Sequence, residues 1–150
     1  ELFKIARPND INICAAISEK KGFKELFFDN ELSSLNTINK NHTLFLKKAF
    51  NQINLKRVKI KTNTLSNILK KYKINEIDFI KIDIEGNEFE VLKTINFNKI
   101  NIKVICIEIV NYELYSKKIK INKDRIFNIL KKNKYNLKFK TFVNYIFVKK

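Results

Sequence analysis

The stretch Ile77–Lys93, IDFIKIDIEGNEFEVLK, changes its apolar period from that of a strand to that of a helix within about three residues. Ile77, Phe79, Ile80, Ile82 and Ile84 form a β-branched and aromatic run almost free of turn residues, the composition of a central parallel strand covered on both faces. Glu88, Phe89, Val91, Leu92 and Ile95 follow with helical spacing. Asp83, Glu85 and Gly86 therefore fall at the carboxyl end of a strand, where open α/β sheets bind their ligands.

Outward from this junction the chain alternates between strand and helix patterns. Upstream, Ile11 to Ile17 reads as a buried strand, and Lys24 to Phe28 as a short exposed one after the Lys21-Gly22 turn. Asn30 to Asn54 is a polar, Asn-rich loop with a short helical or strand piece around Leu44 to Phe50. Val58 to Thr62 alternates as a half-exposed strand, and Thr64 is placed to cap a helix reaching Tyr72. Downstream, Val104 to Val110 is a second continuous apolar run, interrupted by Glu108 where the preceding strand has its Asp83. Asp124 to Lys132 has helical spacing, and Tyr135 to Phe139 and Val143 to Val148 form two strands around Thr141. This is β-α-β alternation closed by a hairpin, and the absence of repeats or Pro/Gly-rich linkers predicts one domain over residues 1–150.

The signature resembles that of the FkbM family of methyltransferases, in which a strand ending in a Lys-Ile-Asp-Val-Glu-Gly type of sequence leads into a helix starting Glu-x-Glu-Val-Leu-Lys. Lys81, Ile82, Asp83, Ile84, Glu85 and Gly86, then Glu88, Glu90, Val91, Leu92 and Lys93, match it nearly in full. Arg7 to Gly22, with its Ala16 and Ser18, is similar to the family's strand ending in an Ala-x-Ser-Asp type of turn. Ser33-Ser34-Leu35 matches a recurring Ser-Ser-Leu, and Val58 to Leu65 resembles the strand and Thr-Leu helix start before the signature, with Ser66 where an acidic residue is usual. The resemblance implies a Rossmann-like class I methyltransferase sheet, mostly parallel with a C-terminal antiparallel hairpin. It implies S-adenosylmethionine as cofactor and methyl transfer to a hydroxyl of a sugar, glycan or related metabolite.

A glycine-rich cofactor loop is missing from this pattern. Gly22 and Gly86 are the two glycines of the chain, so no G-x-G occurs in it. Glu1 stands where an initiator methionine would, and Leu2, Phe3 and Ile5 read as the tail of a helix. The expectation is an N-terminal truncation lacking the first two strands, and a fragment that is inactive alone.

The site residues follow from these placements. Asp83 is expected to position cofactor or acceptor, because a carboxylate at the end of a buried strand must find donors or solvent; the alternative is that it accepts N–H groups of the next helix. Glu108, and Glu113 beyond it, are placed to face Asp83, where clustered carboxylates raise one pKa for base chemistry or hold a divalent cation; Glu108 is the candidate base, and no metal is assigned. Glu85 and Gly86 are read with Ala16 and Ser18 as cofactor-binding, by resemblance, and Ser33 and Ser34 as bordering the acceptor.

The formal charge is +16, from 31 Lys plus Arg against 15 Asp plus Glu. The lysines fall as scattered pairs instead of one stripe, and the accompanying surplus of Asn, Ile, Phe and Tyr follows A- and T-rich codon bias, so no nucleic-acid partner is assigned. A competing reading is a non-catalytic α/β module that binds an anionic partner through this basic surface. Cys14 and Cys106 are expected to be buried reduced thiols, and His42, the single histidine, a surface residue in a polar loop. No apolar run of about eighteen residues and no basic-then-apolar amino end is present, and a cytoplasmic protein is the expectation.

Overall fold

The computed structural model describes residues 2–31, 33, 35–50, 53–110 and 123–150. The elements run α1 (Leu2–Ala6), β1 (Ala16–Ile17), β2 (Gly22–Phe28), α2 (Lys40–Ala49), β3 (Lys56–Asn63), α3 (Leu65–Lys71), β4 (Glu76–Ile82), α4 (Glu88–Leu92), β5 (Asn101–Glu108), α5 (Lys123–Lys132), β6 (Tyr135–Lys140) and β7 (Asn144–Lys149). The architecture is mixed α/β. Its described strands form two mixed sheets, ordered β1-β3-β2 and β4-β5-β7-β6, where one mostly parallel sheet was expected. Only β1 with β3 and β4 with β5 pair in parallel; the other ladders are antiparallel.

The larger sheet carries the core. Ile102, Ile105 and Ile107 of β5 are fully buried, since β5 has a neighbour on each edge and side chains packed on each face. Around them gather Leu92 from α4, Ile126 and Leu130 from α5, and Tyr145 and Phe147 from β7. The expected hairpin is present, with an irregular register at Leu137/Phe139. Its return strand lies next to β5 because β7 offers Tyr145 and Phe147 to the core, whereas β6 leaves Leu137 and Phe139 exposed. Tyr135 anchors the start of β6 by donating its buried hydroxyl to Ile102 O at 2.6 Å. Helices α4 and α5 meet where the Arg125 guanidinium lies 3.8 Å from the centroid of the Phe89 ring.

Three local expectations change. The signature strand β4 is an edge strand, not a central one: its sole described partner is β5, and Phe79 is 56% exposed. Only Ala16 and Ile17 of the Ile11–Ile17 run pair with β3. The preceding residues, Cys14 among them, are exposed, because Asn12 turns its amide back to the carbonyls of Phe3, Arg7 and Asp10 and ties this segment to α1 instead of the sheet. His42 is 4% exposed, because residues 40–49 form a helix whose inner face also carries Leu46. Cys106 is buried as expected, and Thr64 caps α3, its Oγ1 accepting from Asn67 N at 3.1 Å. Among the described residues, no helix is long and apolar enough to cross a membrane.

Candidate active site

Strands β4 and β5 run parallel with Lys81 opposite Cys106 and Ile82 opposite Ile107. The next residue of each strand thus comes to the same sheet end, which sets Asp83 beside Glu108. Their side chains are hydrogen-bonded to one another. Lys81 lies two residues before Asp83, on the same side of the strand, and its Nζ donates to Asp83 Oδ2 at 2.8 Å.

The three groups divide their charge unequally. Burial pushes the Glu108 carboxyl up to about 7, and the hydrogen bond and negative charge of Asp83, with Glu85 nearby, act in the same direction. Asp83 is held below the usual carboxylate range, first by the hydrogen bond from Glu108 and then by Lys81. Below about pH 7 the pair therefore holds one proton, on Glu108, donated to an ionised Asp83, and above it Glu108 ionises as well. Asp83, Glu85 and Glu108 each offer an oxygen within 4.8 Å of the others, a spacing that fits a divalent cation. Lys81 already neutralises Asp83, and nothing further at the cluster points to a metal.

The loop after β4 is fixed by residues that the sequence reading did not single out. Glu85 takes a positive φ of 52° and Gly86 one of 91°, so the chain turns sharply before α4. Glu88, 8% exposed, folds back so that its Oε1 accepts from Gly86 N at 3.0 Å and Ile84 N at 3.3 Å. The loop N–H groups are thus served by Glu88, and Asp83 takes none of them among the described residues. Burial raises the Glu88 pKa, opposed by these backbone donors. From the segment that precedes and begins α2, Asn39 Nδ2 donates to Gly86 O at 2.7 Å and Thr37 Oγ1 to Glu85 O at 3.5 Å. His42 Nε2 stands 3.6 Å from Glu85 Oε2, beyond hydrogen-bond length. Burial lowers the His42 pKa to about 4, so at neutral pH this is a neutral imidazole beside a carboxylate, not an ion pair.

A cavity of about 220 Å³ opens beside Asp83, walled by Ile17, Leu65, Ile80, Ile82 and Val91. It joins the end of β1 to the end of β4, so the Ala16–Ser18 turn and the signature do come together. Ser18 is 1% exposed; its hydroxyl donates to Glu19 Oε2 at 2.5 Å and its N–H to Asn63 O at 2.9 Å. Ala16 pairs with Thr62. Ser33 Oγ accepts from Leu35 N at 3.1 Å within its own loop. Ser34 and Glu113 lie outside the described residues.

Lys81 had a readable signal, its i,i+2 spacing from Asp83 on a strand. Glu88 had one too, an acid in the first turn of a helix after a glycine. Thr37, Asn39 and His42 had none, because more than 40 residues separate them from the loop they hold.

Fold and site together define an α/β protein with a proton-sharing carboxyl pair at the carboxyl ends of two parallel strands. The family model described as Methyltransferase FkbM domain matches residues 2–137, and the chain belongs to that family. Among curated proteins and among solved structures, nothing matches.

Proposed function

We propose that the chain belongs to an S-adenosylmethionine-dependent methyltransferase that methylates a hydroxyl of a sugar, glycan or related metabolite. The observation that carries this reading is the hydrogen-bonded Asp83–Glu108 pair beside a cavity at the ends of β4 and β5. Family membership supports methyl transfer. The parallel β4/β5 pair and the closing β6/β7 hairpin support a Rossmann-like sheet within a single domain.

The residues present suit part of such a cofactor: isoleucines and Val91 wall a slot for a flat ring, and Asp83 presents a carboxylate to its hydrogen-bond donors. Ala16, Ser18, Glu85 and Gly86 contribute backbone at the two turns bordering that slot, and Ser33 and Ser34 are assigned to the acceptor side. When bound, S-adenosylmethionine supplies an electrophilic methyl group on a sulfonium. An in-line attack on that carbon needs orientation first, and a base only as far as the hydroxyl is a poor nucleophile. In the ionised form that a pKa of about 7 leaves populated near neutrality, Glu108 would take the hydroxyl proton onto a carboxylate oxygen as the methyl passes to the hydroxyl oxygen, its bond to sulfur breaking and the sulfonium leaving as a neutral thioether. Lys81 keeps Asp83 ionised, and Asp83 fixes the direction of the Glu108 carboxyl.

The test is transfer of labelled methyl from S-adenosylmethionine to sugar acceptors by the full-length protein. Asp83→Asn and Glu108→Gln should each lower kcat by about a hundredfold or more, with correct folding verified by circular dichroism. Retention of wild-type transfer in both variants contradicts the site assignment.

A further inference from the structure

Strand β3 carries a cluster of cations, Lys56, Arg57, Lys59 and Lys61. Successive residues of a strand point to opposite faces, so Arg57, Lys59 and Lys61 share one side at intervals of about 6.6 Å. All three are exposed, and among the described residues none is in an ion pair. Across the ladder on β2, Phe23 lies opposite Lys61 and Glu25 opposite Lys59. Phe23 is 65% exposed, and Lys59 Nζ stands 4.9 Å from the centroid of its ring. A depression of about 410 Å³ runs over this ribbon between Phe23, Glu25, Arg57 and Lys59. Strand β3 then passes through Thr64 into Leu65, which walls the cavity beside Asp83, so the row of cations leads toward that site.

We propose that this face of the β2–β3 ribbon holds an acidic glycan, a sugar chain carrying carboxylates, and presents it to the Asp83 site as methyl acceptor. The proposal rests on the methyltransferase reading of that site and names its substrate class. Regularly spaced cations meet the carboxylates, and an exposed aromatic edge meets the apolar face of a sugar ring. Glu25, 47% exposed in the middle of the row, is a hydrogen-bond acceptor for sugar hydroxyls. The ammonium of Lys59 covers the face of the Phe23 ring on which a nucleic-acid base would stack and leaves the ring edge exposed.

Titrating the protein with oligogalacturonate, neutral maltohexaose and a twelve-residue oligothymidylate tests this. Oligogalacturonate should bind tightest, with an affinity that falls as salt rises. The Arg57→Ala/Lys59→Ala/Lys61→Ala variant should weaken that binding by about tenfold to a hundredfold. Removing three other exposed charges, in Lys131→Ala/Lys132→Ala/Lys138→Ala, should change it less than about threefold, because screening localises the effect. Equal losses in the two triple variants would mean that net charge alone attracts the glycan, and tighter binding of the oligothymidylate would make the face a nucleic-acid surface; either overturns the proposal. Asp83→Asn separates the two readings. It should change oligogalacturonate affinity by less than about threefold while lowering methyl transfer by about a hundredfold or more, so lost glycan binding and lost catalysis are read by different assays.

Discussion

The two sheets of this molecule both mix parallel with antiparallel pairing, yet they are built for different work. In β4-β5-β7-β6 the central β5 strand has three isoleucines at 0% exposure, and helices α4 and α5 contribute to the same apolar cluster. In β1-β3-β2 the central β3 strand exposes Lys56, Arg57, Val58, Lys59 and Lys61, and only Thr62 is buried along it. Central position in a sheet therefore does not make a strand part of the core. Burial by a second layer does, and β3 has little of it. The difference teaches that the larger sheet carries stability and holds the carboxyl pair rigid, whereas the smaller one is free to display charge.

Stability measurements test that division most strongly. Ile105→Ala should lower the unfolding free energy by about 2–5 kcal/mol, since it leaves a cavity at a fully buried position. Ile60→Ala, half-buried in β3, should cost less than about 1.5 kcal/mol. Urea denaturation measures both, and equal losses would erase the distinction between the sheets.

A smaller effect is expected at the turn that joins β4 to α4. Gly86 has a φ of 91°, which a side chain adopts only under strain, so Gly86→Ala should cost more than about 1 kcal/mol in the same assay. If Gly86→Ala is neutral, the loop is not held as described and Glu88 does not fix it.

The smallest effect is a change in the pH dependence of melting. The folded state raises the Glu108 pKa to about 7, so the stability gained by keeping its proton is complete below its ordinary value and is lost as pH rises through about 7. Glutamine cannot ionise and goes on donating to Asp83. The melting temperature of Glu108→Gln relative to wild type should therefore climb between pH 5 and pH 8, and a flat difference would place Glu108 in ordinary solvent.

Much of this was legible in the sequence where the signal was local. The period change across Ile77–Lys93, the Thr64 cap and the closing hairpin each depend on neighbours a few residues apart, and each is present. The Asp83–Glu108 encounter was legible too, because both acids interrupt the ends of apolar runs that pair in parallel. What escaped depended on distant partners. Nothing in the apolar run of β4 distinguishes an edge strand from a central one; its neighbours decide that. The exposure of Cys14 follows from hydrogen bonds made by Asn12, and the burial of His42 from a helix whose charged outer residues, Lys40, Lys47 and Lys48, look like loop. The cationic row on β3 was hidden by reading lysines along the chain instead of along alternate strand positions.

The proton-sharing carboxyl pair is the centre of this account, and a carbon-13 NMR titration of the Glu108 side-chain carboxyl measures it directly. The account predicts a midpoint near 7 in the wild type, and a lower one in Asp83→Asn, where the like charge is gone and burial remains. A wild-type midpoint at the ordinary glutamate value near 4.5, unmoved by Asp83→Asn, would mean that the two carboxyls do not share a proton and that the base at this site lies elsewhere.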